Sequence, residues 1–207
     1  ILCKTLSAAT IFARYIMEYD LFDVKTFEQN PMQFIAVCTD VETGQAVYHD
    51  ISHVDYDELE WLRASASMPV ASKVVEVGGR KLLDGGVSDS IPLEYFERIG
   101  YRRNVVVLTQ PRGYQKAHNR LMPLMRLSLR KYPLMVKALD ERHIMYNKQL
   151  AYVAQAEQEG RCLVIRPDEK IPIGHISHDP GQMRRVYELG RQVGERYIDQ
   201  IKTFYED

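Results

Sequence analysis

Lys81-Leu82-Leu83-Asp84-Gly85-Gly86-Val87-Ser88-Asp89-Ser90-Ile91-Pro92 is the stretch on which the fold turns. Two leucines run straight into an acid, two glycines follow it at once, and a helix is predicted after Pro92. A carboxylate at the mouth of an apolar strand is costly to desolvate unless something there uses it. The paired glycines free the backbone for positive φ and let another segment approach the acid closely. An Asp-Gly hairpin turn accounts for the same letters, because that dipeptide is a strong turn signal in its own right. Site and turn both stay open on these residues alone.

Upstream, residues 74–77, the pair Gly78-Gly79 and residues 81–83 predict a short hairpin that delivers Asp84. Before it, Asp55-Tyr56-Asp57-Glu58 has the spacing of a capping box, and the helix it opens carries Leu59, Leu62 and Arg63 into the small residues Ala64 to Ser67. Pro69 ends that helix. Residues 33–39 are rich in β-formers, residues 40–44 read as a turn and residues 45–48 as the returning strand. Ile1 to Tyr19 carries apolar residues near helical spacing.

Downstream, Pro92 to Ile99 is predicted as a helix with Gly100 as its C-cap. Residues 104–109 form a continuous apolar run of the kind found in strands buried on both faces. Residues 115–159 read as mostly helical, broken or kinked at Pro123 and Pro133. Residues 161–166 form another strand, 167–178 a loop, and Asp179-Pro180 opens a last helix to about Phe204. Helix followed by buried strand points to α/β architecture.

Composition narrows the class. The 207 residues are 45% hydrophobic and 27% charged, enough for one sizeable core, with no apolar run of membrane-spanning length and no signal-peptide pattern. Cys3, Cys38 and Cys162 are few, odd in number and far apart, which fits buried thiols in a reducing compartment and places the protein in the cytoplasm. Charge is uneven: residues 18–60 hold eleven acids against Lys25, and residues 98–148 hold twelve Lys and Arg against Asp140 and Glu141. Either the basic half meets a polar partner or the halves neutralise each other. His49, Asp50 and His53 cluster in one loop but lack a metal ligand set, and His175 and His178 have no matching second pair. No nucleic-acid-binding module is present and the net charge of −1 argues against that partner.

Three ordered pieces now line up. Leu62-Arg63-Ala64-Ser65-Ala66-Ser67-Met68-Pro69, then Leu83-Asp84-Gly85-Gly86, then Pro92 at the head of a helix resemble the second half of a patatin-like phospholipase domain. Thr109 to Tyr114, Arg130 to Pro133, Ile165 to Pro167 and Tyr187 to Gly190 resemble a bacterial subgroup with a helical C-terminal extension. The likeness runs from about Phe27 onward. It implies a three-layer α/β/α domain, truncated at its N-terminal end. Residues 1–113 would be the C-terminal part of the catalytic core, and residues 114–207 a helix-rich extension with one further strand.

The resemblance also implies a serine acyl hydrolase working on lipid or small esters without a cofactor. Asp84 would be the general base of a Ser–Asp dyad, Gly85 and Gly86 would shape the site by close packing, and all six histidines would be spectators. The family's nucleophile lies in a Gly-x-Ser-x-Gly elbow, and none of the nine serines here has glycine at both −2 and +2, so the serine and the oxyanion hole are expected from a segment not in this chain. Ser90 stands where many members carry Asn.

Arg120-Leu121-Met122-Pro123-Leu124-Met125-Arg126-Leu127-Ser128-Leu129-Arg130-Lys131 mixes leucine and methionine with repeated cations. An amphipathic helix packed on its own core with Arg120, Arg126, Arg130 and Lys131 in water explains this, as does contact with an anionic membrane surface. A non-catalytic binding or scaffolding module on the same fold is the alternative function.

Overall fold

The computed structural model describes residues 22–174, 177 and 179–206. The expected helix over Ile1 to Tyr19, and the histidines at 175 and 178, lie outside the described residues. The chain divides into two compact units: the first takes the chain through Ser90 together with Ala117–Tyr146, the second takes Ile91–Lys116 and the chain from Asn147 on.

The first unit opens with α1 (Val24–Gln29), a short helix the sequence reading did not anticipate, whose N-cap Asp23 accepts from the Thr26 amide at 3.0 Å. A four-stranded antiparallel sheet follows, built from β1 (Ile35–Asp40), β2 (Ala46–Asp50), β3 (Val75–Val77) and β4 (Arg80–Asp84) in the order β2-β1-β4-β3. Both expected hairpins are present. In β3–β4, Gly78 (φ 58°) and Gly79 (φ 69°) form the two-residue connection, and positive φ at both positions is what the strand twist demands there.

Layering comes from β4. Successive strand residues point to opposite faces, so Leu82 joins Ala36, Cys38, Trp61 and Val75 on one side. Leu83 joins Val41, Met122, Met135 and Leu139 on the other. The first face is covered by α2 (Tyr56–Ser65), through Trp61 and Ala64. The second is covered by α4 (Met122–Ser128) and the start of α5 (Pro133–Gln158). Helix, sheet and helix stack as expected of an α/β chain. Each fully buried leucine contributes about 2 kcal/mol of transfer free energy.

Two details of the helices differ from expectation. Asp55 caps α2 by accepting from the Glu58 amide at 2.8 Å, but the Glu58 carboxylate does not complete a capping box; it pairs with His49 at 2.9 Å. Pro123 and Pro133 do not break helices but begin them. They sit in the first turn of α4 and at the head of α5, where a missing amide N–H costs nothing.

The second unit holds α3 (Leu93–Arg98), β5 (Asn104–Val107), β6 (Cys162–Ile165) and α6 (Pro180–Glu206). β5 and β6 pair in parallel, from Asn104 opposite Cys162 to Val107 opposite Ile165. Glu97 of α3 accepts from both the Tyr152 hydroxyl and Arg161. The expectation that β5 is buried on both faces is corrected here: it is half-buried, and Val107 at its end is 70% exposed. Among the described residues the sheet has two strands, so β5 has a described neighbour on one edge.

The β3–β4 turn gives a paired test. A β-carbon at Gly78 would stand 2.8 Å from the Trp61 ring, whereas one at Gly79 meets nothing within 4 Å. Gly79→Ala is expected to cost about 1 kcal/mol, the left-handed backbone penalty alone. Gly78→Ala carries the same penalty plus a ring displacement and is expected to cost about 2–3 kcal/mol. Urea denaturation of the two variants measures the difference.

Candidate active site

Asp84 is the last residue of β4, opposite Cys38 of β1. Both of its backbone groups are tied down. Its N–H donates to the Ser67 carbonyl at 2.9 Å, and its carbonyl accepts from Thr39 Oγ1 at 2.8 Å. The half-buried carboxylate turns back on its own chain: Oδ1 accepts from the Gly86 amide at 2.7 Å and so caps the 3₁₀ turn Gly85–Val87. Among the described residues no donor reaches Oδ2. The side chain is thus fixed by one oxygen and leaves the other as a proton acceptor.

The two glycines have different work. A β-carbon on Gly85 would lie 2.1 Å from the Val37 carbonyl oxygen of β1, a contact no side chain can make, so the turn can cross the strand only without one. Val37 accepts the Ser65 hydroxyl at 2.8 Å on the same oxygen. The Arg63-Ala64-Ser65-Ala66-Ser67 segment and the Asp84 turn therefore meet on one strand. At Gly86 a β-carbon would meet Asp84 Oδ1 at 3.0 Å and Arg142 Nη2 at 3.3 Å, both side-chain atoms and not backbone.

Arg142 is the residue that sequence reasoning missed. It reaches from α5, and its Nε donates to the Gly86 carbonyl at 2.6 Å, where the Ser90 hydroxyl also donates at 2.6 Å. An arginine 56 positions down the chain, within a helix full of charges, carries no local signal of this contact.

The hydroxyls around the turn are committed elsewhere. Ser65 donates to the Val37 carbonyl, Ser67 to the Arg63 carbonyl at 2.7 Å, and Ser90 to Gly86. Ser88 and Thr39 share a hydrogen bond of 2.8 Å. The single Thr39 hydroxyl proton goes to Asp84, so Ser88 is the donor of that pair. Nor is Cys38 a nucleophile: burial, with a smaller contribution from the Asp84 charge, pushes its thiol up to about 12. A cavity of about 270 Å³ lies beside the turn, lined by Gly44, Val87, Ser88, Leu134, Ala138 and Met145 among others.

The histidine loop does not converge. His49 stacks on Trp61 with ring centroids 4.1 Å apart and turns to Glu58, while His53 turns to Asp55 at 3.0 Å. Of the four cations singled out on the basic segment, Arg126 pairs with Asp140 at 3.1 Å. The His118 hydrogen bond and then the Arg126 charge hold that carboxyl below its usual range. Arg120, Arg130 and Lys131 are exposed, with no partner among the described residues.

Residues 8–97 match the patatin-like phospholipase family, a span that contains Arg63 to Pro69, Asp84-Gly85-Gly86 and Pro92. Residues 132–206 match a domain of unknown function, DUF6363. No curated protein matches the chain.

Two outcomes are expected. Gly85→Ala must displace β1 backbone and is expected to cost about 3 kcal/mol or more, while Gly86→Ala, which needs side-chain ends to give by only a few tenths of an ångström, costs about 1 kcal/mol or less; urea denaturation reads both. The thiols give the second outcome. Burial first, then Glu157, raises Cys162 to about 11. At pH 8 the thiolate fractions are then roughly 1 in 10,000 at Cys38 and 1 in 1,000 at Cys162. Peptide mapping after iodoacetamide is expected to find both unmodified in the folded protein and both modified in urea.

Proposed function

With a patatin-like phospholipase segment at residues 8–97 as the premise, we propose that the protein is a serine acyl hydrolase of lipid or small carboxylic esters, with Asp84 as its general base. The observation that carries this reading is the Asp84 carboxylate itself, clamped through Oδ1 by the Gly86 amide with Oδ2 left as an acceptor. Residues 1–113 are read as the C-terminal part of the catalytic core and residues 114–207 as its extension. The buried reduced thiols of Cys38 and Cys162 support placing this chemistry in the cytoplasm.

Serine is a weak nucleophile and needs a base within hydrogen-bond reach. In this reading Asp84 takes the proton of a serine hydroxyl as its oxygen attacks the ester carbonyl. It passes that proton to the leaving alcohol as the tetrahedral intermediate collapses to the acyl-enzyme. Asp84 then takes a proton from water, which attacks the acyl carbon, and returns it to the serine as the acid departs. Backbone N–H groups beside the nucleophile stabilise the oxyanion. With Ser65, Ser67, Ser88 and Ser90 each engaged in a structural hydrogen bond, the nucleophile is assigned to a segment outside this sequence. Gly85 and Gly86 pack the turn closely. Arg142 is a positioning residue, fixing the carbonyl of the amide plane that follows Gly86.

Fluorophosphonate treatment of the natural protein, followed by intact-mass spectrometry, is expected to add one probe equivalent. Asp84→Asn is expected to keep the circular dichroism spectrum while lowering kcat/KM for p-nitrophenyl butyrate by roughly 10²- to 10⁴-fold. Unchanged hydrolysis in that variant removes Asp84 from the mechanism. Absence of both labelling and hydrolysis replaces the enzyme with a non-catalytic binding module.

A further inference from the structure

The stretch Arg120 to Lys131 carries four cations and no acid. Its inner side is well anchored: Met122 and Leu129 are buried and Met125 packs against them in the core shared with Leu83 and Met135. Its outer side is apolar too. Leu121, Leu124 and Leu127 are 60, 51 and 67% exposed. A helix that needed only to cover the core would place polar residues there. Three leucines spaced by three, Leu121 at the N-cap and Leu124 and Leu127 on the solvent side of the seven-residue helix, are unexplained by the fold.

The cations sort themselves the same way. Arg126 is used internally, paired with Asp140. Arg120, Arg130 and Lys131 stand at the two ends of the leucine row with no partner among the described residues. Some exposed cations elsewhere are paired with acids, as in Arg191–Glu195 and Arg196–Asp168, and others are not, but these three flank an exposed leucine row. The last helix, α6, also exposes apolar residues, Met183, Tyr187 and Ile198 among them, but interleaves acids with its cations. Only an acid-free apolar row bracketed by unpaired cations complements a surface that is apolar beneath and negative on top.

We propose that this face docks on an anionic lipid bilayer, with Leu121, Leu124 and Leu127 entering the headgroup–acyl boundary and Arg120, Arg130 and Lys131 meeting lipid phosphates. Arg126 takes no part. The proposal deepens the hydrolase reading, since it names the surface from which an ester substrate would be drawn, and it divides the labour on the basic segment in a way composition alone did not.

The test uses full-length Asp84→Asn protein, so that hydrolysis does not alter the vesicles. Co-sedimentation with phosphatidylglycerol/phosphatidylcholine vesicles is expected, with little binding to phosphatidylcholine alone and loss in 0.5 M NaCl. Arg130→Glu/Lys131→Glu is expected to weaken partitioning at least roughly 25-fold, and Leu124→Glu/Leu127→Glu to abolish it. Lys202→Glu on α6 leaves it unchanged. Because Leu127 is exposed, Leu127→Trp keeps the fold, and its emission is expected to shift to the blue on anionic vesicles.

Binding that survives both double variants, or an unshifted emission from the Leu127→Trp variant with bound vesicles, overturns the proposal. A leucine variant that changes the sedimentation mass in the absence of lipid also overturns it, because a second copy then covers the face. The two readings fail separately. Wild-type hydrolysis of a soluble ester with no vesicle binding sinks the docking face alone; vesicle binding without soluble-ester hydrolysis sinks the enzyme alone.

Discussion

Everything around the candidate site depends on one close approach, the passage of Gly85 over the Val37 carbonyl. The 2.1 Å that separates that oxygen from the place a β-carbon would occupy leaves room for hydrogen alone. The same oxygen accepts the Ser65 hydroxyl, so β1, the end of α2 and the Asp84 turn are fixed to one another at a single backbone atom. Small residues at Ser65 and Gly85 are then a single requirement and not two. Widening the contact would move Asp84 relative to β1, because its N–H and carbonyl are bonded to Ser67 and Thr39 on the two sides of the same junction.

Much of this was legible because its determinants are local. The hairpin ending in Asp84 follows from Gly78-Gly79 and the runs that flank it, and Asp55 announces the start of α2. The two adjacent leucines of β4 encoded a strand with helices on both sides, since alternate residues face opposite ways and both are apolar. The motif pieces also gave the family likeness. What stayed hidden is long-range. Arg142 joins the site through a hydrogen bond to a backbone carbonyl, which any residue would offer, so nothing near Gly86 points to it. The exposure of Val107 was hidden for the opposite reason: an apolar run reads the same whether the strand sits inside a wide sheet or at the open edge of a two-stranded one.

The charge asymmetry resolves in kind. Acids of the stretch 18–60 that form ion pairs find cations close by in the same sheet and helix: Glu60 takes Arg63, Asp40 takes Arg80 and Glu42 takes Lys81. Paired cations of the basic stretch use acids of the long helix, Arg126 with Asp140 and Arg112 with Glu157. The ion pairs that form are thus made within each half, and most of them are exposed enough to be worth little in stability. Arg120, Arg130 and Lys131 are informative because of their place, at the two ends of an exposed leucine row that carries no acid.

The geometry of Asp84 bears on how the carboxylate would serve as the proposed base, with no histidine bonded to it among the described residues. A carboxylate on a flexible side chain would rotate to satisfy both oxygens with whatever donors were near. Here the Gly86 amide holds Oδ1, the Arg142 and Ser90 donors hold the Gly86 carbonyl, and the amide planes of the turn are therefore not free to follow the side chain. The aim of Oδ2 is set before any substrate arrives. Such preorganisation is what the proposed dyad would require of its base. Arg142, the long-range contact with no local signal, is in this account the residue that keeps the turn from yielding.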